Sequence, residues 1–339
     1  MALAFGYLKI LPPLWVFVLA ALAIVPLAGV LGEATEDLAS HLGQGVGALL
    51  NATMGNATEL IIAVFAIRAG HTEVVKASLS GSIIGNILLV LGLSVLAGGW
   101  KREKQTFSRQ AAAVNATMLF IAVVALVMPA VFSLGVFGEL REHSARIEKL
   151  SLWTSVVLIV VYLLSLRFAF GTNAAKPEEA VKPERPVRAA LVALSLATVL
   201  VALVSEILVA QIDATKQALG FSDLFLGVVV IAIIGNAAEH ATAVSMAIEN
   251  KMDLALGVAI GSSAQIALLV APLVVFYSWA IHKPMSLLFR PLEIAGITLA
   301  VVIVEMISSD GETTWFEGAQ LLAVYLILAV AFYFVPSAV

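Results

Sequence analysis

One short polar string occurs twice inside long apolar runs: Gly55-Asn56-Ala57-Thr58-Glu59 and, 180 residues later, Gly235-Asn236-Ala237-Ala238-Glu239. The same offset places Gly81-Ser82 on Gly261-Ser262 and Ala34-Thr35 on Ala214-Thr215. Chance alignment of two hydrophobic stretches favours Leu and Val matches, whereas these are Gly, Asn, Glu and Ser. The chain reads as two copies of one unit.

Composition identifies the solvent. The 339 residues are 61% hydrophobic and 12% charged, with a mean hydropathy of +1.04, which is more apolar surface than a water-soluble fold can bury. Crossing a hydrocarbon core of ~30 Å takes about 20 apolar residues as a helix. That measure gives spans near 10–31, 44–68, 74–98, 110–136, 150–170, 188–210, 224–248, 254–281, 286–308 and 315–336. The expected fold is an all-α, multi-pass integral membrane protein. Each copy holds five spans, an odd number, so the second copy enters the membrane from the opposite side. The expectation is therefore ten transmembrane helices as two inverted five-helix repeats: 1–170, a charged Pro-containing linker at 171–187, and 188–339. That architecture puts a substrate site near the midplane, where the repeats meet. The first run is too long for a signal-peptide core and no small-residue cleavage pattern follows it, so it reads as a retained span.

Other classes are excluded. The net charge of -4 is spread over short connections, with no basic face to follow a phosphate backbone, so nucleic acid is not an expected partner. The absence of cysteine removes disulfides, thiolate metal sites and a Cys nucleophile. Lys and Arg divide almost evenly between the two sides, so charge bias does not orient the chain. Amphipathic stretches at 33–43 and 213–223 precede the second and seventh spans. Glu33, Glu36 and Asp37 read there as a solvated loop, or as an acidic mouth that concentrates cations.

Glu59 and Glu239 lie deep within their spans. An ionised carboxylate at that depth costs about 2.5–3.5 kcal/mol on insertion scales. One such acid can be a hydrogen-bonded packing residue; two at repeat-equivalent positions behind the same tripeptide point to function. Gly55, Gly235, Asn56 and Asn236 weaken the helix in front of each acid. A broken helix frees backbone carbonyls, which are tolerated at membrane depth when they line a protein cavity. Carbonyls, the Asn56 and Asn236 amides and two carboxylates form an all-oxygen set suited to a hard cation such as Ca²⁺, which takes six to eight oxygens at about 2.3–2.6 Å. Zn²⁺ and Cu²⁺ sites use His or Cys. His240, beside Glu239, reads equally as a packed imidazole or a proton carrier. The third and eighth spans add Ser80, Ser82 and Asn86, and Ser262, Ser263 and Gln265. The two primary amides need several partners each, and Gly81, Gly85 and Gly261 allow close helix approach. Asn-x-Thr triplets at Asn51, Asn56 and Asn115 fall in or beside spans and are discounted as glycosylation sites. Glu206, near the end of the sixth span, either snorkels or lines a pathway.

These strings, together with Gly81-Ser82-Ile83-Ile84-Gly85-Asn86 and Gly261-Ser262-Ser263-Ala264-Gln265, resemble the two signature repeats of calcium/proton exchangers in the cation/calcium antiporter superfamily. Gly235-Asn236-Ala237-Ala238-Glu239-His240-Ala241 is the most specific part, and the resemblance covers essentially the whole chain. It implies ten core helices, Ca²⁺ coordination by Glu59 and Glu239, mobile first and sixth spans, and a cytoplasmic linker. It implies Ca²⁺ and protons as transported ions, no cofactor, and a lipid bilayer as environment, in the cell membrane of a prokaryote. A homo-oligomer stays open. The mixed charge of 171–188 differs from the acidic central segment of eukaryotic relatives. Sodium/calcium exchange shares the fold, but Ile266 stands where Asn86 has its counterpart. From other classes, an intramembrane acid–base enzyme lacks any supporting motif, and a channel is separated by whether flux needs a counter-gradient.

Overall fold

The computed structural model describes residues 11–141, 144–172 and 185–336. Most of the expected linker lies outside the described residues. The first half forms α1 (Pro13–His41), α2 (Gly43–Met54), α3 (Ala57–Ala69), α4 (Thr72–Gly99), α5 (Arg109–Phe137) and α6 (Ala145–Thr172). The second forms α7 (Val187–Ala210), α8 (Ile212–Leu219), α9 (Asp223–Gly235), α10 (Ala237–Ile248), α11 (Met252–Ala280), α12 (Pro291–Ser308) and α13 (Trp315–Tyr333). The one described sheet is a two-residue antiparallel pair, β1 (Gln105–Thr106) with β2 (Glu312–Thr313).

Among the described residues, eight helices are long and apolar enough to cross a membrane. The number is nine if α8 and α9, bent by 114° at their junction, form one span. The expected spans 44–68 and 224–248 are each two helices, because Gly55-Asn56 and Asn236 interrupt them. The first span runs on to His41, so Glu33, Glu36 and Asp37 lie in a helix and not a loop; Thr35 and Asp37 are buried. The expected span 286–308 starts late. Residues 283–290 carry no regular secondary structure, and the helix begins at Pro291, whose fixed φ and missing N–H suit a first helical position. Wide π-type turns interrupt α4 at Gly85–Val90 and α11 at Ile266–Val270, almost one repeat offset apart, with a third in α9 at Leu226–Ile231. Such turns rearrange the backbone ladder locally and recur at functional sites.

α4 and α11 form the centre of the core. Leu79, Ile83, Ile84 and Ile87 from α4 and Ala264, Ile266 and Leu268 from α11 are almost fully enclosed. α1 and α7 lie against each other and pack on the interrupted spans, α1 on α9 and α10 and α7 on α3. Polar contacts fall at two ends. At one, Arg185 pairs with Glu33 at 2.8 Å and Gln105 donates to the Ala247 carbonyl at 3.0 Å. At the other, Lys283 donates to the Arg68 carbonyl at 2.7 Å and Arg290 pairs with Glu73 at 3.1 Å. The two helix breaks lie between these ends.

Candidate functional site

Asn56 and Asn236 occupy the N-cap positions of α3 and α10, with φ/ψ of -100°/20° and -94°/7°. That backbone ends the preceding helix and restarts the next, so Glu59 and Glu239 both fall in a first helical turn. The unpaired N–H groups there carry partial positive charge and favour an anion. The same local sequence thus yields the same local device twice.

The two devices meet. A carbon placed as a side chain on Gly235 would sit 3.4 Å from Oε1 of Glu59, and one on Gly55 would sit 4.0 Å from Oε1 of Glu239. Each carboxylate therefore lies against the glycine of the other half's break. A larger residue at Gly235 would press on the Glu59 carboxylate.

The amides and hydroxyls predicted from the sequence join into one network. Asn56 Nδ2 donates to Gln265 Oε1 at 2.7 Å, Asn236 Nδ2 to Ser82 Oγ at 2.8 Å, and Asn86 Nδ2 to both Asn236 Oδ1 and Ser262 Oγ at 3.2 Å. Ser262 Oγ lies 2.7 Å from Glu239 Oε2 and 3.2 Å from Asn56 Oδ1, and its one proton goes to the shorter, charge-assisted contact. Three oxygens stand apart. Glu59 Oε1 and Oε2 and Asn86 Oδ1 are buried, and none accepts a hydrogen bond from another residue. Buried polar atoms are ordinarily paired, and leaving a charged one unpaired costs several kcal/mol. Among the described residues no group of three or more His, Asp and Glu could hold a metal. Beyond the two carboxylates, oxygens for a cation here would come from amides, hydroxyls and backbone.

His240 is half-buried and lines a tight crevice, with no room for a water molecule, together with Ser82, Asn86, Asn236 and Tyr325. Tyr325, from α13, was not predicted; a buried Tyr in the last span is the signal that would have flagged it. Ser80 and Ser263 point elsewhere: Ser80 donates to Glu293 Oε1 at 2.7 Å, and Ser263 to the Ala259 carbonyl at 2.9 Å. Glu206 is exposed on α7. The sequence reading also missed a buried ionic cluster at the Arg290 end, where Lys76 and Glu293 are both 2% exposed. Lys76 lies 2.5 Å from Glu73, and the cluster borders a cleft of about 390 Å³ lined by His71, Glu73, Lys76, Lys216, Asp223 and Ser286. Both residues fall in expected spans and carry charge, which was the signal available.

These features define a multi-pass helical membrane protein in which two repeated helix breaks bring two carboxylates together. The chain belongs to the sodium/calcium exchanger protein family, which matches residues 12–171 and 189–334, and within it to the calcium/proton exchangers. It is 46% identical to the Ca(2+)/H(+) antiporter of Synechocystis sp. over 96% of this chain and 92% of that protein. It is 42% identical to the Ca(2+)/H(+) antiporter ChaA of Bacillus subtilis over 97% of this chain and 94% of that one. The solved structure of native YfkE superimposes with a TM-score of 0.85 at 39% identity, covering 98% of this chain and 95% of YfkE.

Proposed function

We propose that this protein is a secondary antiporter that exchanges Ca²⁺ for protons by alternating access, with Glu59 and Glu239 carrying both ions. The observation that carries the reading is the meeting of two repeat-equivalent carboxylates, each against the other half's glycine, with both Glu59 oxygens and Asn86 Oδ1 buried and unpaired. Its near relatives named as Ca(2+)/H(+) antiporters support it.

The coupling follows from charge. With both acids ionised the site carries two negative charges, and closing protein over it strands them in a desolvated setting at several kcal/mol. One Ca²⁺ cancels that charge, and so do two protons. Both loaded forms reorient, the empty form does not, and a leak of either ion alone is suppressed. Asn56, Asn236, Asn86 and Gln265 supply neutral oxygens and hold the breaks in register, and Ser82 and Ser262 anchor them.

The underlying architecture is ten spans in two inverted repeats, 1–170 and 188–339 joined by 171–187. In it, α2 with α3 and α9 with α10 each form one broken span, and α1 and α7 are the moving helices. It follows that His41 and Asn250 face one side of the membrane and Ala69 the other.

The test is Ca²⁺ flux in proteoliposomes holding the wild-type protein, with a fixed pH gradient and a membrane potential set by potassium and valinomycin. Flux driven by the pH gradient and indifferent to voltage is expected for the two-carboxylate cycle. Voltage dependence that disappears in His240→Ala assigns a third proton to His240. Ca²⁺ flux with no proton movement overturns the exchange reading.

A further inference from the structure

The two acid-bearing helices, α3 and α10, end alike. Gly70 and Asn250 follow them one repeat offset apart, and both take a left-handed φ, of 91° and 64°. The His71 N–H returns to the Ala66 carbonyl and the Lys251 N–H to the Met246 carbonyl, each at 2.9 Å, so the same motif closes both helices. Two further carbonyls of these ends, Arg68 and Ile248, are again one offset apart, and each is taken by a cation from the other half. Lys283 Nζ donates to the Arg68 carbonyl at 2.7 Å, and Arg102 Nη2 to the Ile248 carbonyl at 2.9 Å. Each cation also belongs to the end of a central helix. Arg102 Nη1 donates to the Gly98 carbonyl of α4, and the Lys283 N–H closes α11 on the Ser278 carbonyl at 2.9 Å. Arg102 aligns with His282 and Lys283 with Glu103, so the two cations are not copies of one residue. Two connections that differ in sequence and path deliver a positive charge to the same carbonyl.

We infer that Arg102 and Lys283 are positioning residues for the two acids: each clamps the C-terminus of the other half's acid-bearing helix to a central helix, and so sets where Glu239 and Glu59 lie. The free carbonyls at a helix C-terminus carry partial negative charge, so two such ends repel where they meet unless a cation stands between them. Both clamps meet that condition, since α10 packs against the last turns of α4 and α3 against the last turns of α11. Nine positions separate Glu59 from Arg68 and Glu239 from Ile248, which is about 13 Å of helix. A continuous helix transmits a slip or rotation over that length, so the clamp at one end places the carboxylate at the other. The helix before each acid ends at the break, and its hydrogen-bond ladder does not run on into α3 or α10. Placement therefore falls to the amide network around the acids and to the far ends. This inference rests on Glu59 and Glu239 being the ion site, as proposed above.

The test uses the full chain in detergent, with Arg102→Met and Lys283→Met to remove the charge and Arg102→Lys and Lys283→Arg to keep it. Backbone hydrogen–deuterium exchange, followed by mass spectrometry without Ca²⁺, should quicken about threefold to tenfold at residues 237–240 in Arg102→Met and at residues 57–60 in Lys283→Met. The first turn of the other acid-bearing helix should keep its wild-type rate. Ca²⁺ affinity of the folded protein should fall by about threefold to tenfold in each Met variant, and the Lys and Arg variants should stay within about twofold of wild type. Lys283 is exposed, so Lys283→Met keeps the inference testable if Arg102→Met does not fold. Faster exchange confined to the last turn of α3 or α10, with wild-type Ca²⁺ affinity, is the mark of a local cap and overturns the inference. A lowered unfolding midpoint with unchanged Ca²⁺ affinity overturns it as well. Wild-type protein whose Ca²⁺ binding ignores both Glu59→Gln and Glu239→Gln would sink the functional reading instead, and the exchange measurement, which needs no Ca²⁺, would still report whether the clamps act on the far turns.

Discussion

The connection between α4 and α5 and the one between α11 and α12 occupy equivalent places in the two halves, yet they are built on different principles. The first turns outward. Trp100 is exposed and packs edge-on to Trp315 at 5.6 Å, β1 pairs with β2, and Lys104 meets Glu312 in solvent. The second turns inward as irregular backbone, with Met285, Leu287, Leu288 and Phe289 almost fully buried. Buried backbone outside a helix must find partners, and here helix side chains supply them. Lys76 Nζ donates to the Leu288 carbonyl at 3.2 Å, and Ser151 Oγ and Ser278 Oγ accept from the Leu287 and Met285 amides at 2.9 Å. Arg290, next in the chain, ties to Glu73, and its N–H caps onto Glu293 at 2.9 Å. The equivalents of Lys76, Ser80 and Glu293 in the other half are Leu256, Ile260 and Ala113. The difference teaches where symmetry is under constraint. The centre, where the two breaks meet, keeps Gly, Asn and Glu in both halves. The ends have diverged.

That contrast breaks most readily at the centre. Glu59→Gln and Glu239→Gln should each abolish Ca²⁺ exchange, by a factor of about a thousand, because a divalent ion facing one carboxylate leaves a buried net charge worth ~4 kcal/mol. The measurement is ⁴⁵Ca²⁺ uptake into vesicles with matched protein content. If one of the two variants keeps near-normal flux, the centre is not functionally symmetric.

At the ends the two halves should respond differently to one substitution. Lys76→Met removes a buried cation and leaves Glu73, Glu293 and the Leu288 carbonyl short of a partner, for a loss of about 3 kcal/mol. Leu256→Met at the equivalent position is a volume-conserving swap costing less than about 1.5 kcal/mol. Thermal unfolding in detergent distinguishes them, and equal midpoints would show that the ionic cluster does not anchor the connection.

The proton enters through mass action. Ca²⁺ binding needs both carboxylates ionised, so over the pH range where they take up protons, affinity should fall as pH falls, by about tenfold per pH unit for each proton displaced. Raising the pH strengthens binding until both acids are ionised and then has no further effect. Ca²⁺ titrations between about pH 5.5 and 8.5 follow this, and a flat profile would remove the proton as counter-ion.

The smallest effect sharpens the comparison within the site. Ser262 donates to Glu239, whereas no side chain donates to Glu59. Ser262→Ala therefore removes a hydrogen bond to a charged group, worth ~2 kcal/mol, while Ser82→Ala removes a neutral one to Asn236, worth ~1 kcal/mol. Apparent Ca²⁺ affinity should drop further for Ser262→Ala than for Ser82→Ala, and the reverse order would contradict the asymmetry.

Much of the site was written in the residues. Gly-Asn in front of a mid-span Glu reads as a break in any helix, since glycine's backbone freedom and asparagine's competing hydrogen bonds are local properties. Gln265 and Asn86 declared themselves because a primary amide in an apolar span needs partners. Hydropathy could not split 44–68 and 224–248 into separate helices, because a two-residue break leaves the window average unchanged. It also misread 283–290, where apolar side chains on buried irregular backbone look the same as a helix start. Lys76 and Glu293 went unnoticed because they lie 217 residues apart and neither has a repeat partner.

The sequence by itself determined the lipid solvent, the doubling, the two helix breaks and the two acids, since each depends on residues close together in the chain or on a periodicity within it. Only the tertiary structure decided that each carboxylate lies against the other half's glycine, that α9 touches α4 backbone to backbone, and that one connection is buried and the other exposed. Those outcomes depend on how the two halves pack against each other and not on any one stretch of chain. The free-energy difference between such packings is the small remainder of many opposing contacts and belongs to no single segment.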